Sequence, residues 1–65
     1  MQINVNGKSC QIKATTIFDA LDELGYADAK IATAVNETFI PEAHRTTHTL
    51  CAGDRLEILA PMQGG

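Results

Sequence analysis

The sequence predicts an α+β fold, a mixed sheet of four or five strands with one main helix packed on one face. Three observations predict it: an Asn-Gly pair between two alternating runs, one short amphipathic helical stripe, and a second set of short strand-like runs. One helix cannot cover both faces of a sheet, so the other face must stay open or be polar.

Asn6-Gly7 is the preferred pair for a two-residue type I′ hairpin turn. Closing the chain there pairs Val5 with Lys8, Ile3 with Cys10 and Met1 with Ile12, which gathers the apolar residues on one side. Asn4 with Ser9 and Gln2 with Gln11 fall on the other. Lys8 breaks the pattern, but at a strand end its stem can lie along the core while the amine stays wet.

A helix follows. Thr16 is its cap, with Asp19 near the positive end of the dipole. Ile17, Leu21 and Leu24 keep the spacing of a buried stripe, Ala20 lies beside them, and Asp19, Asp22 and Glu23 point away. Gly25 suits the left-handed stop.

Beyond the linker 26–30, residues 31–35 are small and apolar on both sides. That predicts a strand covered on both faces or interior to the sheet. Thr38-Phe39-Ile40 reads as a short partner strand, and Pro41 opens at most one helical turn, to Arg45. Residues 46–49 are loop-like. Gly53-Asp54 turns the chain into a last strand, 55–60, with Leu56 and Ile58 on one face, and Pro61 ends it. The expected organisation is one domain over residues 1–61 and a flexible tail over residues 62–65.

Composition narrows the function. With 65 residues the core is thin and leaves no room for a deep cleft, which argues against an enzyme. No nucleophile–base pair or acidic dyad is evident. The net charge is -3, and Lys8, Lys13, Lys30, Arg45 and Arg55 are scattered, so nucleic-acid binding is not expected. No signal-like start and no run of about 20 apolar residues is present; the expectation is a cytoplasmic protein with no membrane partner. Cys10 shares a face with Ile3 and Ile12 and reads as core. Cys51, beside the Gly53 turn, has no basic neighbour in sequence to activate it. His44 and His48 are four apart, but Pro41 and the threonines argue against a long helix and no third ligand is evident, so they read as solvated, with no metal expected.

The carboxyl end carries the chemistry. Gly64-Gly65, behind Met62-Gln63, makes a slim unbranched terminus that can enter a narrow channel. Four extended residues reach at most about 14 Å, enough to place the terminal carboxylate in another protein's active site. A free carboxylate is a poor electrophile; joined to AMP it becomes a mixed anhydride, and a sulfur nucleophile can then displace AMP. The other reading is that the two glycines are a frayed end. Leu59 alternates away from Leu56 and Ile58, and with Phe39 it is a candidate docking surface, edge packing being the competing reading.

The run Ala34-Val35-Asn36, Pro41, Leu50, Gly53-Asp54-Arg55, Glu57-Ile58 and Gly64-Gly65 resembles the ThiS family of sulfur carrier proteins, and the amino-terminal hairpin and helix match it in pattern and length. The wider ubiquitin-like group, including the MoaD small subunits of molybdopterin synthase, shares the ending. The resemblance implies a ubiquitin-like β-grasp with the first and last strands adjacent and parallel in mid-sheet. It implies adenylation of Gly65 by a ThiF-like enzyme that uses ATP, with no cofactor bound by the carrier itself. It further implies sulfur transfer from a persulfide donor to give a thiocarboxylate, and delivery to a ThiG-like thiazole synthase in thiamine biosynthesis. Gly65 is then the modified residue, with Gly64 and Gln63 recognised in the tail. A MoaD-like carrier for molybdopterin synthesis and a β-grasp interaction module are the other readings. Two positions depart from the family pattern. Glu37 stands where many members have glycine, which predicts a different turn after Asn36. Arg45 stands where an aromatic residue is frequent, which predicts altered packing around residues 41–48.

Overall fold

The computed structural model describes residues 1–27 and 29–60. The expected tail, with Gln63, Gly64 and Gly65, lies outside them. Five strands and one α-helix follow in the order β1 (Gln2–Val5), β2 (Lys8–Gln11), α1 (Ile17–Glu23), β3 (Ala32–Val35), β4 (Thr38–Ile40) and β5 (Arg55–Leu59), with a single 3₁₀ turn at Glu42–His44. The sheet order is β2-β1-β5-β3-β4, so the first and last strands lie side by side in mid-sheet and parallel, while the other neighbours are antiparallel. This is the β-grasp arrangement. None of the helices among the described residues is long and apolar enough to cross a membrane.

The hairpin has the predicted register, Ile3 opposite Cys10 and Val5 opposite Lys8. Its turn has φ of 51° at Asn6 and 85° at Gly7, the left-handed pair a type I′ turn requires. Met1 and Ile12 exchange main-chain bonds beyond the strand ends.

Helix α1 is only seven residues long, too short to stand alone, and its ends are tied by specific bonds. Thr16 Oγ1 accepts the Asp19 N–H at 3.2 Å. The two preceding donors reach across to the loop after the 3₁₀ turn, Ile17 N–H to the His48 carbonyl at 3.1 Å and Phe18 N–H to the Arg45 carbonyl at 3.0 Å. The unpaired N–H groups of the first turn are thereby satisfied by carbonyls brought from far along the chain. At the other end Tyr26 N–H bonds to the Leu21 carbonyl and Gly25 N–H to the Asp22 carbonyl, a Schellman stop that uses the left-handed φ of Gly25.

Ile17, Ala20 and Leu21 press on Ile3, Ile12, Val35, Ile40, Leu50, Leu56 and Ile58. Each fully buried Ile or Leu contributes about 1.5–3 kcal/mol of transfer free energy. Leu24 and Cys10 are half-buried at the margin.

Strand β3 is interior to the sheet, one of the two placements expected of it: it is bonded on both edges, with Thr33 and Val35 buried and Ala32 and Ala34 on the open side. Other expectations change. The Asn36-Glu37 turn is left-handed after all, with φ of 50° and 72°, despite glutamate where glycine was expected. Asn36 holds it: its side chain donates to Asp54 Oδ1 at 3.0 Å and accepts the Arg55 N–H at 3.0 Å. Glu23 does not simply point to solvent. Its carboxylate accepts the N–H groups of Lys13 and Ala14 at 2.9–3.0 Å, closing the linker between β2 and α1. The Lys13 N–H first, and then that of Ala14, hold its pKa below the usual carboxylate range.

Candidate functional site

The open face of the sheet divides in two. Toward β1 and β2 it is polar, with Gln2, Asn4, Ser9 and Gln11 in register. Toward β3 and β4 it is apolar. Leu59 on β5 stands opposite Ala32, and Phe39 on β4 stands opposite Ala34, which in turn faces Glu57. Leu59 is 64% exposed and Phe39 63%. The two candidate docking residues thus share one face, separated by the small side chains of β3. The edge-packing reading does not hold for them, since neither is covered.

Beside this face opens a cleft of about 650 Å³, where β5 gives way to Ala60. Lys30, Ile31, Ala32, Arg45, Leu59 and Ala60 line it. Arg45, which lines it, is held by hydrogen bonds to β3 and the residue before it. The guanidinium Nη2 donates to the Ile31 carbonyl at 2.7 Å and Nε donates to Thr33 Oγ1 at 3.3 Å, while the Thr33 hydroxyl donates to the Ile40 carbonyl at 3.1 Å. Arg45 is 8% exposed. Sequence counted it among scattered basic residues and expected altered packing around it; it is a buried tie between the 3₁₀ turn and the sheet. Among the described residues, the other charges on this side include Lys30 and Glu42 in the cleft, with Glu57, Arg55 and Glu37 along the face. Glu37 and Arg55 form an exposed pair at 3.9 Å, of little energetic weight.

The remaining candidates lie apart from this surface. Cys51 is exposed, and its main-chain N–H donates to Asp54 Oδ2 at 2.8 Å. His44 is exposed and His48 half-buried, joined by a main-chain bond from the His48 N–H to the His44 carbonyl at 3.0 Å. Among the described residues no cluster of His, Cys, Asp or Glu is arranged to hold a metal. Phe18, 55% exposed on α1, went unremarked in the sequence; its place one residue off the Ile17–Leu21 stripe is the signal for its outward direction.

A small β-grasp domain with an exposed apolar face beside its final strand is the class that fold and surface define. The ThiS family model matches residues 3–65, and the chain belongs to the ThiS family. It is similar in structure to the crystal structure of a thiamine biosynthesis protein (ThiS) from Geobacter metallireducens, with TM-score 0.86, 26% identity and 100% of both chains covered. It is also similar to the solution structure of a thiamine biosynthesis protein from Geobacter metallireducens, with TM-score 0.79, 25% identity, and 100% of this chain and 88% of that one covered. No curated protein matches it significantly in sequence.

Proposed function

We propose that the chain is a sulfur carrier whose Gly65 carboxylate is activated and converted to a thiocarboxylate that supplies sulfur for thiazole formation in thiamine biosynthesis. In this reading the protein is a substrate of enzymes and not an enzyme. The observation that carries it is the family match over residues 3–65, which takes in the terminal diglycine. The apolar face beside β5 supports it, because a carrier needs a docking surface near the end that reacts.

The chemistry needs little from the carrier beyond an accessible carboxylate. A Gly65 oxygen attacks the α-phosphorus of ATP in an adenylating partner of the ThiF kind, and pyrophosphate leaves. The terminal sulfur of a persulfide donor then attacks the acyl carbon and AMP leaves. A thiol cleaves the resulting acyl disulfide and frees the thiocarboxylate for a thiazole synthase of the ThiG kind. Gly64 and Gly65 give the tail its slim profile through the partner's channel, with no Cβ at the last two positions to obstruct it, and Gln63 is recognised with Gly64 behind the reacting end. Leu59 and Phe39 seat the body outside. In this reading the carrier itself binds no cofactor, and the ATP is used by the adenylating partner.

Mass spectrometry of protein isolated from its native host tests the reading. A fraction of the chain should carry an oxygen-to-sulfur exchange confined to Gly65, and deletion of Gly65 should abolish ATP-dependent labelling. A deletion variant that sustains thiazole formation sinks the proposal, and an isopeptide bond from Gly65 to a lysine points to a protein modifier instead.

A further inference from the structure

The residues that make the hairpin turn, Asn6 and Gly7, are also a reactive pair. A main-chain nitrogen can attack the carboxamide of the asparagine before it, and a glycine nitrogen does so most readily because no Cβ obstructs the approach. Asn6 is exposed, so water has access to it. In the fold, however, its side chain is committed to the last strand. Nδ2 donates to the Ile58 carbonyl at 3.2 Å, and Oδ1 accepts the Ile58 N–H at 2.8 Å.

The reason lies in the ladder between β1 and β5. Main chain meets main chain at its first two rungs, Asn4 N–H at the Asp54 carbonyl at 2.9 Å and Asn6 N–H at the Leu56 carbonyl at 3.0 Å. One step further β1 has turned into the hairpin. A carboxamide offers the same donor and acceptor as a peptide group, and the Asn6 amide supplies the next rung at Ile58. The group that could react with Gly7 is therefore held by a strand 52 residues away.

We propose that Asn6 is a deamidation site gated by folding: pairing of β5 with β1 holds its carboxamide on Ile58 and off the Gly7 nitrogen, and a chain with β5 unpaired deamidates there. The inference is independent of the carrier reading. In the reaction the Gly7 nitrogen bonds to the Asn6 Cγ, and its proton passes to solvent. The Cγ–Nδ2 bond breaks, and Nδ2 takes up a proton and leaves as ammonia. Water then opens the succinimide at either carbonyl, giving aspartate or isoaspartate at position 6. No oxidant or reductant is needed. The Ile58 N–H also polarises the carboxamide, but polarisation without approach closes no ring, and approach is the larger effect.

Either product weakens the arrangement that protected the amide. An aspartate sets an oxygen against the Ile58 carbonyl where Nδ2 had donated. An isoaspartate carries the main chain through the side-chain methylene, which lengthens a two-residue turn and disturbs the register it sets.

The test is peptide mapping by mass spectrometry of the full chain kept in mildly alkaline buffer, with and without enough urea to unfold it. Acid and isoaspartate at position 6 are followed against time. Conversion should be at least about tenfold slower in the folded chain, because only opened molecules react. In urea, Gly7→Ala should slow it about tenfold by crowding the attacking nitrogen. A synthetic chain with an ester in place of the Glu57–Ile58 peptide lacks the Ile58 N–H and keeps every side chain. While folded, it should convert at least about threefold faster than the folded wild type, whereas protection by the turn alone would leave the rate unchanged. Wild-type rates within about threefold of each other with and without urea overturn the proposal, as does a folded ester chain that converts no faster than wild type. If the ester chain does not fold, the wild-type comparison decides. Asn6→Asp, the product made directly, should unfold at a lower urea concentration than wild type, and an equal midpoint overturns the claim that the product weakens the fold.

Discussion

Arg45 donates its Nε–H to the Thr33 hydroxyl at 3.3 Å, which fastens the segment after β4 to the middle of β3. Arg45→Ala removes this bond, the Nη2 bond to the Ile31 carbonyl and the packing of the aliphatic stem. The expected cost is about 2–3 kcal/mol, read from urea unfolding. Paired with Thr33→Val in a double-mutant cycle, the two residues should couple by about 1 kcal/mol. Additive losses would show that the bond contributes nothing of its own.

Glu37 occupies a left-handed backbone position, φ 72°, that costs a side-chain-bearing residue about 1–2 kcal/mol. Glu37→Gly relieves that strain and gives back part of the gain through the greater freedom of the unfolded chain. The ion pair lost with Arg55 is exposed and weak. The net expectation is a stabilisation of about 0.5–1 kcal/mol, a rise of several degrees in Tm for a domain of this size. A lower Tm would mean that the glutamate side chain contributes more than its geometry indicates.

The acidity of Glu23 is strengthened by the N–H groups of Lys13 and Ala14, so its folded-state pKa lies below the unfolded value near 4.5. A depressed carboxyl stabilises the fold above the unfolded pKa and loses that contribution as pH falls through the folded one. The wild-type urea midpoint should therefore drop progressively from about pH 5 downward. Glu23→Gln should be less stable at neutral pH and should lose part of that acid dependence. An unchanged pH profile in the variant would remove Glu23 from the account.

Leu59→Glu should leave Tm close to wild type, because the side chain is already 64% exposed. Its effect should appear as a raised KM for the carrier in pyrophosphate exchange, by about tenfold, with Phe39→Ser acting in the same direction. Unaltered kinetics in both variants would dismiss the apolar face as a docking surface.

Much of this architecture was legible in the sequence because local chemistry fixed it. Asn6-Gly7 sets a turn type, the turn sets the register, and the register sorts Ile3, Cys10 and Ile12 from Asn4 and Ser9. Thr16 and Gly25 bracket the helix by their own backbone preferences. Leu59 showed its exposure by alternating against Leu56 and Ile58. What stayed hidden depends on chain segments distant in sequence. Nothing near Arg45 says that a loop will fold back and bury it against Thr33, and nothing near Glu23 says that Lys13 and Ala14 will present unpaired N–H groups to it. The Asn36-Glu37 turn was misjudged because glutamate is a poor left-handed residue. The contacts that override that preference, from Asn36 to Asp54 and Arg55, come from the start of the neighbouring strand β5, distant in sequence. Asn6 was read for its backbone alone, since its side-chain partner lies on the last strand.

The pairing of Asn4 with Arg55 and Val5 with Leu56 has a consequence for how the molecule comes into being. A nascent chain that stops short of β5 holds two separate ribbons with no centre, and its helix has no finished surface to rest on. The middle of the sheet is completed by β5, and pairing of strands so far apart in sequence is intrinsically slow. The sheet that α1 packs on is therefore whole only once β5 has been added.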